Sequence, residues 1–338
     1  MRLVTAWGPG PSAVRMGPAG GAARPLTRYR AHVHPFRFAV YAFHAPDGPS
    51  WLAMTRRVEE LGYATLLVPD HLSRQLSPIA ALAAAAAVTS RMTIGPYVFA
   101  NDFRHPLIMA REAATLDVLS GGRLELGLGA GWRRSDYRQL GYVYAAPGRR
   151  IDRLVEALGL VKRLLAGETV THHGAHYWLD RARISPMPMQ RPVPLQIGAG
   201  GPRMLRLAAR EAQIVGLIPQ FSPHGLPMLR DVGETALGRK VALLRDAAGA
   251  RYDSLELSIY AADAGMIGSG HTLPGSLGSA AKAASVGLAG SPYLLYGTLR
   301  QLRERLQRRR DRLGVSHYAI PSHAMESMAP LVEALAGR

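Results

Sequence analysis

Residues 105–132 read H-P-L-I-M-A-R-E-A-A-T-L-D-V-L-S-G-G-R-L-E-L-G-L-G-A-G-W, and this stretch decides the fold. Pro106 to Leu119 has the composition of a helix and runs into Ser120-Gly121-Gly122, where it stops. Arg123 to Leu128 is a short apolar run of strand type, and Gly127 to Trp132 is a glycine-rich loop after it. A helix, a tight glycine turn, a buried strand and a glycine loop make one unit of a parallel sheet.

The same alternation extends in both directions. Upstream, Phe36 to Phe43, Ala64 to Val68 and Met92 to Val98 are strands one to three. They are separated by a helix that Ser50 is placed to cap and Gly62 to close, and by a second helix opened by Ser77-Pro78. Downstream, Arg149 to Leu165 is a long helix stopped by Gly167, and Thr169 to Arg183 alternates as a hairpin lying outside the series.

Strands five to eight are Pro194 to Ile197, Ile214 to Ile218, Leu255 to Tyr260 and His317 to Ile320. The helices between and after them cover Pro202 to Glu211, about Leu226 to Ala248, Thr298 to Leu313 and Ser327 to Ala336. Eight strands, each followed by a helix, predict an α/β chain folded as a TIM (β/α)8 barrel. Ala261 to Pro292, rich in Gly, Ser and Ala, reads as a long loop with one helical turn near Ala280 to Val286.

Length and composition agree with one such domain. The chain has 338 residues, 48% hydrophobic and 19% charged, enough for one large core. Residues 1–35 contain five arginines, five prolines and no acidic residue, so they are expected to be a disordered extension preceding a domain at 36–338. No apolar run approaches the roughly 18 residues of a membrane span. The expected compartment is the cytoplasm, and membrane association is not expected.

The absence of cysteine removes thiolate nucleophiles, disulfides, iron–sulfur clusters and Cys-based zinc sites. Net charge is +17, and about +12 without the arginines of residues 1–35, so the folded part is itself basic. That suits an anionic partner such as a phosphorylated cofactor with acidic extensions, or an acidic peptide. Nucleic acid is not expected, because the densest basic run, Arg300 to Arg312, spaces its leucines as a solvated outer helix does. A homodimer stays open.

In this fold the chemistry sits at the C-terminal ends of the strands. Four loops there carry information: V-P-D-H at Val68 to His71, Tyr97 to Pro106, Gly127 to Trp132, and I-G-A-G-G-P-R at Ile197 to Arg203. Gly198, Ala199, Gly200 and Gly201 lead straight into a helix, where backbone N–H groups converge on an anion, so this is a candidate phosphate cradle. His172, His173 and His176 have spacing a metal could use, but the first two point to opposite faces of a hairpin and the sequence places no acidic ligand beside them. No metal site is expected. His105 reads as the residue leading into a helix.

Taken in order, E-E-L-G-Y, V-P-D-H, residues 105–132 and P-L-Q-I-G-A-G-G-P-R-M-L-R-L-A-A-R-E-A resemble the luciferase-like monooxygenase superfamily, and within it the oxidoreductases dependent on coenzyme F-420. The resemblance spans Phe36 to Val215 and resumes at Ser291 to Leu335. It implies a barrel of the bacterial luciferase-like type with a deazaflavin or flavin across its mouth, the phosphate on Gly198 to Gly201. It further implies a cis peptide at Tyr97 and Val98 behind the ring, and Phe99, Ala100 and Asn101 next to it.

The resemblance also implies that Asp70 and His71 are the catalytic pair, with His71 donating or accepting a proton near the ring. Trp132 stands where the F-420-dependent sugar-phosphate dehydrogenases carry a catalytic Glu, and Gln213 where relatives have Asp. The expected activity is hydride transfer between reduced F-420 and a small organic substrate, in the direction of reducing an activated C=C, C=N or C=O bond. An FMN-dependent monooxygenase is the alternative, and a non-catalytic barrel for a phosphorylated ligand or acidic peptide a second one.

Overall fold

The computed structural model describes residues 34–222, 226–267 and 290–338. Nine parallel strands form one sheet: β1 (Arg37–Tyr41), β2 (Thr65–Val68), β3 (Thr93–Pro96), β4 (Phe99–Ala100), β5 (Leu126–Gly129), β8 (Leu195–Ala199), β9 (Ile214–Leu217), β10 (Glu256–Tyr260) and β13 (Val315–Pro321). Their spatial order is β3-β2-β1-β13-β10-β9-β8-β5-β4. Ile94 makes a parallel bridge to Leu124, and this joins the two ends of the order into a ring. β3 and β4 are one stave interrupted at Tyr97-Val98, whose peptide is cis. Eight staves therefore stand where eight strands were expected.

The joint between β3 and β5 needs glycine. A Cβ on Gly95 would lie 2.3 Å from the Glu125 carbonyl oxygen, and one on Gly127 would lie 2.1 Å from that of Pro96. Neither distance is open to a side chain, so the two strands close only because both positions lack one.

Helices cover the outside: α1 (Gly48–Glu60), α2 (Pro78–Ala86), α3 (Pro106–Leu119), α4 (Arg134–Leu140), α5 (Pro147–Leu165), α6 (Pro202–Glu211), α7 (Glu234–Ala248), α8 (Leu299–Leu313) and α9 (Met325–Leu335). Residues of β1 show the two layers. Phe36, Phe38 and Val40 pack outward against the helices. Ala39 and Tyr41 point inward with Leu67 and Ala319. At the opposite end of the barrel interior, Arg37 joins Glu125, Glu256 and the Thr65 hydroxyl, the last two at 2.6 and 2.9 Å.

Several expectations shift. The cap of α1 is Asp47, whose carboxylate accepts the Ser50 N–H at 2.7 Å, so Ser50 lies inside the first turn. The short helix α4 was not read at all. α7 begins at Glu234, not near Leu226, because Phe221 and Pro227 form an antiparallel bridge and Leu229–Asp231 a 3-10 turn before it. The stretch read as loop from Ala261 contains β11 (Asp263–Met266), paired in parallel with β12 (Leu294–Gly297).

The hairpin is present as β6 (Val170–His173) and β7 (Trp178–Ala182). It differs in one respect: the Glu156 carboxylate of α5 accepts from His172 Nε2 at 2.9 Å, so an acidic side chain does stand there. Among the described residues no group of three His, Asp or Glu could hold a metal, and no helix is long and apolar enough to cross a membrane. The extension expected at residues 1–35 falls almost wholly outside the described residues, as does the helical turn near 280–286.

Candidate active site

A cavity of about 540 Å³ opens at the C-terminal ends of the strands. Asp70, His71, Tyr97, Val98, Ala100, Gly198 and Gly200 line it, which brings the three separate motif loops to one place. Phe99 and Ala199 are fully buried in the outer core, their side chains turned away from the cavity. Asn101 is buried as well and donates to the Tyr177 hydroxyl at 3.0 Å.

His71 follows β2 and is held from α4. Its Nδ1 lies 2.7 Å from Oδ2 of Asp136, whose side chain is 2% exposed. A carboxylate offers only lone pairs, so Nδ1 carries the imidazole proton and Nε2 presents its lone pair. Burial lowers the pKa of His71 below its ordinary value, aided by the nearby Arg133 and opposed by the Asp136 hydrogen bond. Around neutral pH the ring is therefore an uncharged base. The other carboxylate oxygen of Asp136, Oδ1, is buried without a partner.

Asp70 does something else. Its carboxylate takes Arg104 in a two-pronged contact at 2.5 and 3.1 Å and accepts the Ala100 N–H at 3.0 Å. The Arg104 guanidinium in turn lies 4.4 Å above the Phe99 ring. Asp70 thus ties the end of β2 to the segment after β4, and the partner of His71 is Asp136. Sequence reading paired the histidine with its chain neighbour because α4, which carries Asp136 around to it, is short and has no apolar period.

Glycines shape the cavity floor and one wall. Val98 projects between β5 and β8, and a Cβ on Gly129 would lie 2.6 Å from its Cγ2. The end of β8 continues through Gly200 and the N-cap Gly201 into α6, where Pro202 occupies the first turn. The first N–H groups of such a turn have no acceptor within the helix. Behind Gly200 stand the carbonyl oxygens of Pro219 and Ile218, 3.1 and 3.2 Å from where its Cβ would be.

That backing wall is itself anchored. Lys240 of α7 donates to the Ile218 carbonyl and to Asp231, both at 2.6 Å, and Asp231 accepts the Gln220 N–H at 2.5 Å. Lys240 and Asp231 are 5% and 7% exposed, and nothing in their sequence spacing announced them.

The far wall is aromatic. Trp132 stacks on Phe221 at 4.7 Å with the planes 21° apart, and His71 meets the indole edge-on at 5.4 Å. Arg133 lies 5.1 Å over the same indole and donates to the Ser73 hydroxyl at 3.3 Å. Gln213, a departure noted in sequence, sits at the other end of the barrel, where its Oε1 accepts the Leu195 N–H at 3.0 Å. It takes no part in the cavity.

Comparison with known proteins gives a family match and a fold match. The family model described as luciferase-like monooxygenase matches residues 31–231. An F-420-dependent glucose-6-phosphate dehydrogenase of Nakamurella multipartita is 35% identical over 221 residues, 61% of this chain. The match spans 64% of that relative's own length.

Among solved structures, an F-420-dependent secondary alcohol dehydrogenase in complex with an F-420–acetone adduct superposes with a TM-score of 0.72 at 16% identity. It covers 89% of this chain and 99% of that one. The long-chain alkane monooxygenase LadA superposes at 0.70 with 15% identity, covering 89% and 92%. At these identities the structural likeness is one of fold.

Proposed function

Since the chain belongs to the luciferase-like monooxygenase family, we propose that its cavity binds coenzyme F-420 and carries out hydride transfer on a small organic substrate, with His71 handling the proton. The observation that carries the reading is the His71–Asp136 pair at 2.7 Å on the cavity wall, facing the glycine loop across the barrel mouth. The residues fit the cofactor. Gly200 lines the cavity beside the open N-terminus of α6, which suits a phosphate. The tyrosines Tyr41, Tyr97 and Tyr260, and Val98 make an apolar floor that suits a flat ring.

Bound there, a deazaflavin supplies a two-electron hydride acceptor or donor that reacts poorly with oxygen. The chain's own part is positioning and proton transfer. With Nδ1–H fixed on Asp136, Nε2 of His71 is set to take the hydroxyl proton of a carbinol as its carbon gives up hydride, leaving a C=O group. This supports alcohol oxidation at neutral pH. The reduction expected from sequence is the reverse step, in which Nε2 returns the proton to the carbonyl oxygen as its carbon takes up hydride. Asp70, bound to Arg104, serves as a positioning residue for the segment that carries Ala100.

The experiment is to titrate the purified full chain separately with F-420 and with FMN. F-420 is expected to bind at least about tenfold more tightly, a difference of about 1.4 kcal/mol. Equal or tighter FMN binding, with oxygen consumed by the reduced FMN complex, would replace the reading by a monooxygenase.

A further inference from the structure

We propose that the substrate of this site is uncharged and presents a flat aromatic or conjugated group to the Trp132–Phe221 wall, and that it is not a phosphorylated sugar. The inference rests on the hydride-transfer reading of the same cavity, and it is carried by that cavity's charges and rings. Trp132 and Phe221 stand 4.7 Å apart with near-parallel planes, and Trp132 is half-buried against His71, so the stack lies next to the base that would take the substrate proton. Aromatic groups add to such offset stacks with about 0.5–1.5 kcal/mol beyond the area they bury.

The charges at the wall are already engaged. Asp70 is matched by Arg104, and Asp136 holds His71, which burial keeps uncharged. Arg133 is the only arginine or lysine among the described residues lining the cavity, and it lies over the indole and donates from one Nη to the Ser73 hydroxyl. A phosphate monoester is bound most strongly by bidentate or clustered cations, and among the described residues this wall offers only Arg133.

Phe43, which also lines the cavity, is 41% exposed, so the apolar lining continues outward. Trp132 is thus a specificity residue: at the position where the resemblance places a carboxylate in sugar-phosphate dehydrogenases, this chain has an indole continuing the apolar wall.

The test uses the full chain with acetophenone, cyclohexanone and glucose 6-phosphate as probes, each titrated by calorimetry without cofactor. Acetophenone is expected to bind more tightly than cyclohexanone, and glucose 6-phosphate to give no saturable heat. Trp132→Leu and Phe221→Leu should each weaken acetophenone by about 2- to 12-fold and leave cyclohexanone nearly unchanged, while Trp132→Phe restores most of the loss. Tighter binding of glucose 6-phosphate, or acetophenone affinity indifferent to both leucine variants in folded protein, overturns the proposal. Titrating F-420 into the same samples separates the two readings. F-420 bound with acetophenone excluded overturns the substrate class alone. Acetophenone held through Trp132 with F-420 excluded supports the substrate class and overturns the hydride carrier.

Discussion

Gly200 approaches Pro219 so closely that a Cβ on the glycine would lie 3.1 Å from the proline's carbonyl oxygen. The neighbouring Gly201 has room, since its Cβ would be 3.9 Å from the Gln220 side chain and its φ of −100° is open to any residue. The two glycines of the cradle are therefore unequal. Gly200→Val should lower F-420 affinity by about tenfold or more, and Gly201→Ala by no more than about threefold. Fluorescence titration of both folded variants checks this, and a larger loss for Gly201→Ala would place the phosphate elsewhere.

His71→Gln should slow single-turnover hydride transfer by about 10²- to 10⁴-fold with little change in cofactor affinity, the range typical of a placed acid–base group. Asp136→Asn should cost nearly as much, because an amide that donates to Nδ1 forces the opposite tautomer. Asp70→Asn should act mainly on the melting temperature, since it leaves Arg104 poorly paired in a largely buried setting. Stopped-flow rates beside melting curves distinguish the three. Loss of rate at Asp70 alone would reverse the assignment.

The pH dependence of oxidation follows from the same pair. Burial puts the His71 pKa below 6.5, so the rate should rise with pH along an acid limb centred below that value and then level. The Asp136 hydrogen bond opposes the burial, so in Asp136→Asn whatever rate remains should show its limb at still lower pH. A limb centred above 6.5 in the wild type would contradict the buried, uncharged base.

At the opposite end of the barrel, burial raises the Glu256 pKa to about 7, while Arg37 pulls it down and Glu125 pushes it up. His317, 3.9 Å away and buried, is itself held well below its ordinary pKa. A carboxyl raised in the folded state favours folding below its unfolded pKa, and that contribution is lost as pH climbs through the folded value. The melting temperature should accordingly fall between about pH 5 and 7.5 from this group, and Glu256→Gln should flatten the fall. Scanning calorimetry across that window measures it; an unchanged slope would mean Glu256 ionises normally.

The barrel was legible because its staves are short apolar runs separated by helices with glycine stops, and tertiary packing reinforces that local pattern. The cavity loops were legible for a different reason: a glycine loop and an Asp-His pair fall just past strand ends, where this fold keeps its chemistry. What escaped was long-range. The contact of Asp136 with His71 spans 65 residues, and that of Lys240 with Ile218 spans 22, and neither motif is local. Phe221 was invisible as a site residue because only the turn of Trp132 toward it creates the stack. β11 was missed because its D-A-G-M sequence has neither branched residues nor alternation to mark a strand.

The Lys240–Asp231 anchor grips Ile218 and Gln220 and ends one residue before Phe221. This places a seam in the molecule. On one side the backbone behind Gly200, where the cofactor phosphate is proposed to sit, is bolted to a helix. On the other stand Phe221 and Pro227, which pair in an antiparallel bridge and both line the cavity. On the proposed reading, exchanging Phe221 or Pro227 would change what the cavity admits while the backbone held by Lys240 stays as it is.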